Sequence, residues 1–283
     1  MADDPADIDL DRFVAENVAP AVDAPAPRRG GPSGLVFVAL ALVLAIAVGA
    51  YVYLRAPHSE APSAGEKPSS PPAARQGLKG DSIVLPPLDE TDPVIRQLVS
   101  RLSSHPTVLA WLTTDGLILN FVMVAAGVAN GESRTAELKA IGPVPRFRIR
   151  ETRDRIYLDP ASYRRYDRYA DAFVSLDARE SARLYATLKP RITDAYRRLD
   201  NAGGDFDPVL ERAIVELLRV PVIEGELELV PKATVYGFAD PKLEAMTTAQ
   251  KQLLRMGPQN VRRIQEKLRD IADYLAIPAA KLR

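Results

Sequence analysis

Apolar and polar positions fall into three regimes along the chain. From Leu35 to Leu54, twenty successive residues carry no charge. At about 1.5 Å of helical rise each, they match the roughly 30 Å of hydrocarbon in a bilayer. This predicts a transmembrane helix, with Tyr51 and Tyr53 near one interface and Arg28, Arg29 and Arg55 flanking it. Ala56 to Gly80 is dominated by Pro, Ser, Ala and Gly, with too little to bury to offset the entropy of ordering. Beyond it, apolar residues recur at three- and four-residue steps, the period of helices packed on a core.

The helix starts are marked. Asp92-Pro93, Asp159-Pro160, Asp207-Pro208 and Asp240-Pro241 each set a capping carboxylate before a proline at the first helical position. Asp177 with Glu180 is a capping-box pattern. Helical spacings follow: Ile95, Leu98 and Leu102; Tyr163, Tyr166, Ala170 and Phe173; Leu184, Leu188, Ile192 and Tyr196; Leu210, Ile214 and Leu217; Leu243, Met246 and Leu253. Pro190 predicts a kink. Leu117 to Ala129 is apolar nearly all round and too short to span a bilayer, so it reads as the central buried helix, with a re-entrant membrane segment as the other reading. After Gly257-Pro258, Val261, Ile264, Leu268, Ile271 and Leu275 draw a narrow stripe on a basic helix.

Period two appears in two places. Phe147 and Ile149 alternate with Arg146, Arg148 and Arg150, and a turn at Thr152–Asp154 leads into Arg155–Leu158, predicting a hairpin with Phe147 and Ile149 on its buried face. Leu227 and Leu229 alternate with Glu226 and Glu228, and Val235–Phe238 reads as a further strand. The expected fold class is mainly α: a membrane-anchored helical bundle with a small β-hairpin or sheet. The expected organisation is an acidic disordered tail over 1–34, the transmembrane helix over 35–54, a disordered linker over 55–80, a mostly helical globular domain over 81–277 and a tail over 278–283.

A retained anchor fits the long run better than a cleaved signal peptide, because a long acidic segment precedes it where a signal would be short and basic. Arg28 and Arg29 against Arg55 predict a cytoplasmic N-terminus and a C-terminal domain on the outer side of the membrane. Lys plus Arg equals Asp plus Glu at 37 each, so no whole-chain field recruits nucleic acid. The cysteine count is 0, which excludes disulfides, thiolate metal sites and cysteine nucleophiles.

Three stretches carry a family resemblance: PPLDETDPVIRQL from Pro86, YLDPASYRRYD from Tyr157 and KQLLRMGPQN from Lys251. With the order of tail, anchor, linker and domain, residues 81–277 resemble the proteobacterial domain of unknown function 3014 family. The resemblance implies an envelope-associated, single-pass protein and supplies no catalytic residues.

Candidate chemistry is sparse. No GxGxxG, Walker loop or HExxH pattern occurs, and no cofactor is expected. The two histidines are His58 in the linker and His105 before Pro106, the latter a helix-flanking residue rather than a metal ligand or catalytic base. Asp200 to Asp207 has calcium-loop composition, but Ala202 and Gly204 stand at ligand positions, so it reads as a turn. Asp89, Glu90, Asp92, Asp159 and Asp167 are candidate acid–base carboxylates, but nothing in their spacing brings two together.

The segment Arg146–Tyr169 stands out, with eight arginines against four acids and tyrosines interleaved. Guanidinium forks beside tyrosines suit phosphate, carboxylate or anionic headgroups, making Arg146, Arg148, Arg150, Arg164 and Arg168 the candidate binding residues. The competing reading is an ordinary solvated face, with Arg164–Asp167 and Arg168–Asp171 pairing along a helix. The expected function is a non-catalytic, membrane-anchored interaction or scaffold protein of the cell envelope, bound to the bilayer through residues 35–54 and to another envelope protein or an anionic envelope component. The alternative is a periplasmic enzyme with a carboxylate-based site.

Overall fold

The amphipathic stretches fold as helices, with two exceptions, in the computed structural model, which describes residues 78–133, 146–199, 204–233 and 235–282. Tyr163 and Tyr166 fall in a 3₁₀ segment, and the stretch 243–253 divides into two short helices with Met246 between them. The predicted tail, the transmembrane run Leu35–Leu54 and the linker up to residue 77 lie outside the described residues. Among the described residues no helix is long and apolar enough to cross a membrane. In chain order the elements are α1 (Asp92–Leu102), α2 (Pro106–Trp111), α3 (Leu117–Ala129), β1 (Ile149–Glu151), β2 (Ile156–Leu158), a 3₁₀ segment Pro160–Tyr166, α4 (Asp167–Val174), α5 (Ala178–Arg198), α6 (Asp207–Leu218), β3 (Glu228–Pro231), β4 (Tyr236–Phe238), α7 (Pro241–Glu244), α8 (Thr248–Leu254) and α9 (Pro258–Tyr274).

The fold is mainly helical with a four-stranded antiparallel sheet. α3 is the central helix, packed on α5 and α6, with Leu117, Phe121, Val122, Val124 and Val128 buried. Burying side chains of this size is worth about 1.5–3 kcal/mol each. Phe206 meets Phe121 edge-on at 5.6 Å and Tyr196 at 5.3 Å, tying α3, α5 and the start of α6 together. α9 closes the bundle against α4, α5 and α6 through Val261, Ile264, Leu268 and Ile271.

The caps divide into local and long-range ones. Asp159 accepts from the Ala161 amide at 2.7 Å and Asp240 from that of Lys242 at 2.7 Å, as expected. Asp177 accepts from the Glu180 amide at 2.8 Å, but the reciprocal half of the expected box is missing: Glu180 Oε2 is buried without a hydrogen-bond partner. Two of the expected caps are corrected. Asp92 does not cap α1; it accepts from the amides of Gly116 at 2.7 Å and Leu117 at 2.9 Å, capping α3 instead. Asp207 does not cap α6; it accepts from the Tyr185 hydroxyl at 2.6 Å and pairs with Lys189, pinning α6 to α5. A complete capping box stands at Thr247 and Gln250, ahead of α8.

α5 runs continuously through Pro190. Proline lacks the N–H that would bond the carbonyl four residues back, here that of Ala186. The incoming chain uses this gap. A Cβ on Gly80 would stand 2.7 Å from the Ala186 carbonyl oxygen and 2.4 Å from the Thr187 nitrogen, so only glycine lets the backbones approach. The Asp81 amide donates to Thr187 Oγ1 at 2.8 Å, and the Asp81 carboxylate takes Arg183 at 2.5 Å.

The predicted hairpin forms as β1–β2, and the sheet order is β1-β2-β3-β4. The register sets Ile149 opposite Leu158 and Ile156 opposite Leu229, with Leu229 opposite Phe238; this face lies on the helices. Phe147, expected on the buried face with Ile149, is 37% exposed. It precedes the first paired residue, and its ring stacks on Tyr236 at 6.1 Å rather than entering the core.

Candidate functional site

Alternation in the sheet sorts the arginine segment. The register sets Arg150 opposite Tyr157 and Tyr157 opposite Glu228, all on the outward face. Arg150 pairs with Glu226 and lies over the Tyr157 ring at 5.0 Å. Arg155 reaches Glu228 at 3.3 Å. The acids that alternate with Leu227 and Leu229 therefore meet the arginines of the hairpin.

Arg148 is held by its backbone. Its amide donates to Ser162 Oγ at 2.7 Å, and the same hydroxyl donates back to its carbonyl at 2.9 Å. Ser162 is buried, so the start of β1 is stapled to the 3₁₀ segment. Arg164 lies two residues beyond that staple, on the segment tied to the start of β1. The Arg148 side chain is 68% exposed and its Nε lies 3.8 Å from Asp159, a weak contact. The side chains of Arg146 and Arg164 are exposed and have no ion pair or hydrogen bond among the described residues.

Arg168 lies over the Tyr169 ring at 4.5 Å and donates to its hydroxyl. Burial raises the Tyr169 phenol pKa, against the opposing pull of Arg168. The acids of α4 turn toward α9: Asp167 accepts from Asn260 Nδ2 at 2.8 Å, and Asp171 pairs with Arg263 at 2.6 Å.

That seam joins two of the sequence's signature stretches. Gly257 has φ +86°, and a Cβ there would stand 2.5 Å from Cγ of Tyr163. Tyr163 is half-buried, which raises its phenol pKa. Gln252 donates to the buried Tyr166 hydroxyl at 3.3 Å. Arg255 lies over Phe238 at 4.9 Å and donates to the Tyr236 carbonyl at 3.0 Å; burial lowers its pKa. The tyrosines and polar residues of these stretches thus fasten sheet to bundle, leaving Arg146, Arg148 and Arg164 facing outward.

The candidate carboxylates separate into three places. Asp89, Glu90 and Asp92 line a cleft of about 510 Å³ with Asp115, Arg96 and Arg198, which sequence spacing had not brought together. Arg198 holds Asp89 at 2.5 and 2.8 Å and keeps its carboxyl below the ordinary carboxylate range. Arg96 bridges to Asp115 at 2.9 Å and donates to the carbonyls of Leu112 and Thr114. A glycosidase acid needs a carboxyl whose pKa is raised. Here Asp89 is pushed the other way, and Asp92 is spent on two helix amides. Asp159 and Asp167 lie at the sheet corner and the α4–α9 seam.

His105 caps α2, its Nδ1 accepting from the Thr107 amide at 3.2 Å. In the acidic run, Asp205 and Asp207 both reach Lys189, at 3.5 and 2.5 Å, while residues 200–203 lie outside the described residues. Among the described residues no group of three or more His, Cys, Asp or Glu is placed to hold a metal ion. A family model described as protein of unknown function (DUF3014) matches residues 117–272, from α3 into α9. No curated protein and no solved structure matches the chain.

Proposed function

Because the chain belongs to the DUF3014 family, whose description assigns no activity, we propose its function from its own residues: a membrane-anchored, non-catalytic interaction domain of the cell envelope that takes an anionic partner at the sheet corner. The observation that carries this reading is the Ser162 staple, which ties the backbone at Arg148 to the 3₁₀ segment that bears Arg164, while the exposed side chains of Arg146, Arg148 and Arg164 have no strong carboxylate partner among the described residues. Arg150 and Arg168 form the flanks, the first shared with Glu226 and the second laid on Tyr169. Guanidinium groups left in water on a rigid corner attract carboxylate or phosphate by charge-assisted, often bidentate hydrogen bonds. In this reading Leu35–Leu54 crosses the inner membrane, the N-terminus is cytoplasmic and the domain stands in the periplasm on its spacer. The partner is another envelope protein or an anionic envelope component, not nucleic acid. The carboxylate cleft supports the enzyme alternative by its shape alone, since Asp89 is held by Arg198, Asp115 by Arg96 and Asp92 by two helix amides.

The test uses the full-length chain recovered from alkaline-washed membranes, and recovery in the soluble fraction instead would overturn the anchor. Arg146→Ser, Arg148→Ser and Arg164→Ser together should change stability by no more than about 0.5 kcal/mol, because exposed charges contribute little. Binding to polyglutamate and to vesicles containing anionic lipid should fall together in the triple variant. Wild-type binding should also weaken steeply with salt. A triple variant that unfolds early while binding is unchanged would show the arginines to be structural.

A further inference from the structure

The two edges of the sheet are treated differently. In the β3–β4 ladder, Ala239 N–H bonds the Glu228 carbonyl at 2.9 Å and Lys232 N–H that of Val235 at 2.8 Å. Antiparallel alternation then turns the backbone groups of Tyr236 and Phe238 outward. A side chain takes one group of each: Phe238 N–H donates to Glu244 at 2.9 Å, and the Tyr236 carbonyl accepts from Arg255 at 3.0 Å. This edge is obstructed by Glu244 and Arg255.

At the other edge, Asp159 N–H bonds the Arg148 carbonyl at 3.3 Å and Thr152 N–H that of Arg155 at 2.8 Å. Arg148, Arg150 and Thr152 therefore face β2, and the backbone N–H and C=O of Ile149 and Glu151 point away from it. None of these four groups has a hydrogen-bond partner among the described residues. An open row of donors and acceptors is a template for another strand.

Charge decides which strand. From Arg146 to Arg153 the edge carries Arg146, Arg148, Arg150 and Arg153 against Glu151. Pairing with a second copy of β1 would bring arginines together across the new ladder, which is unfavourable. A strand bearing acids at alternate positions would set them across from Arg148 and Arg150, within about 5.5 Å between Cβ atoms, and turn its apolar positions toward Ile149 and Phe147.

We propose that β1 is a strand-addition site for an extended acidic segment of a partner protein, joined by the outward backbone groups of Ile149 and Glu151. This rests on the anionic-partner reading and adds to it the class of partner and the mode of capture.

The test measures binding of a nine-residue peptide with glutamate at alternate positions and threonine or valine between, using the full-length chain. One alternate set of the peptide's amides faces the edge whichever way it runs. N-methylating that set should weaken binding roughly tenfold or more, through the loss of two or more backbone hydrogen bonds, and N-methylating the other set should not. The amides of Ile149 and Glu151 should gain hydrogen-exchange protection with the unmodified peptide. Because the modification is in the peptide, no outcome depends on a variant that fails to fold. Equal binding by both methylated peptides, with the arginine triple variant still weakened, overturns strand addition and leaves the anionic-partner reading standing. Salt-sensitive capture of anionic vesicles without capture of the peptide does the same. Failure of peptide, polyglutamate and vesicles alike overturns both.

Discussion

Replacing Asp92 separates a local cap from a distant one. If Asp92 capped its own helix, as its place before Pro93 suggests, serine would serve nearly as well, since serine is among the best capping residues. In the structure its two oxygens instead accept from Gly116 and Leu117 at the start of α3, and the side chain is only 16% exposed. A serine hydroxyl, one bond shorter and single, cannot bridge both amides. Asp92→Ala removes two bonds to a charged acceptor at a helix N-terminus, worth about 1–2 kcal/mol. The Arg96 contact at 3.7 Å adds little, because Arg96 keeps Asp115 and two carbonyls. Asp92→Ser should therefore lose about as much as Asp92→Ala, and either should lower Tm by roughly 2–8 °C. Trp111, the single tryptophan, is fully buried and reports the transition by fluorescence. Wild-type stability in Asp92→Ser with clear loss in Asp92→Ala would refute the long-range cap.

Two further outcomes follow from the α8–α9 side of the sheet. Gly257→Ala combines a left-handed backbone, φ +86°, with a Cβ 2.5 Å from the Tyr163 ring. It should cost about 3 kcal/mol and lower Tm by roughly 6–12 °C, and calorimetry showing no measurable shift would discount the contact. Glu244 is held down at about 2, first by the Lys232 ammonium and then by the Phe238 amide. Its folded value lies below its unfolded one, so its contribution is complete above the ordinary carboxylate range and is lost as pH falls toward 2. Glu244→Gln should be less stable than wild type near neutrality by about 1 kcal/mol or less, given its partial exposure. Urea titrations should show that gap closing on acidification, and a gap that widens would contradict the assignment.

What could be read from the chain alone was what acts over a few residues. The caps at Asp159, Asp177 and Asp240 bond amides two or three positions ahead, so residue type and spacing reveal them. The β1–β2 hairpin, the central helix Leu117–Ala129 and the final apolar stripe were legible for the same reason: a period of two or 3.6 records which side of an element is buried. The arginine segment was legible as a concentration of charge, though not how each cation would be used.

The tertiary structure decided the partners. Asp92 lies 24 residues from Gly116, and Asp207 lies 22 from Tyr185, so the same Asp-Pro signature that caps locally elsewhere is drawn to a distant donor here. Arg150 meets Glu226 across 76 residues, and only the register of β2 on β3 brings them together. The cleft of Asp89, Asp92 and Asp115 assembles from three separate stretches. Which sheet edge is obstructed depends on where α7 and α8 set Glu244 and Arg255. A sequence pattern states which faces seek burial and which ends need a donor or acceptor. It does not state which of several competent groups will arrive, because that depends on how whole helices pack, and packing sums many contacts far apart in the chain.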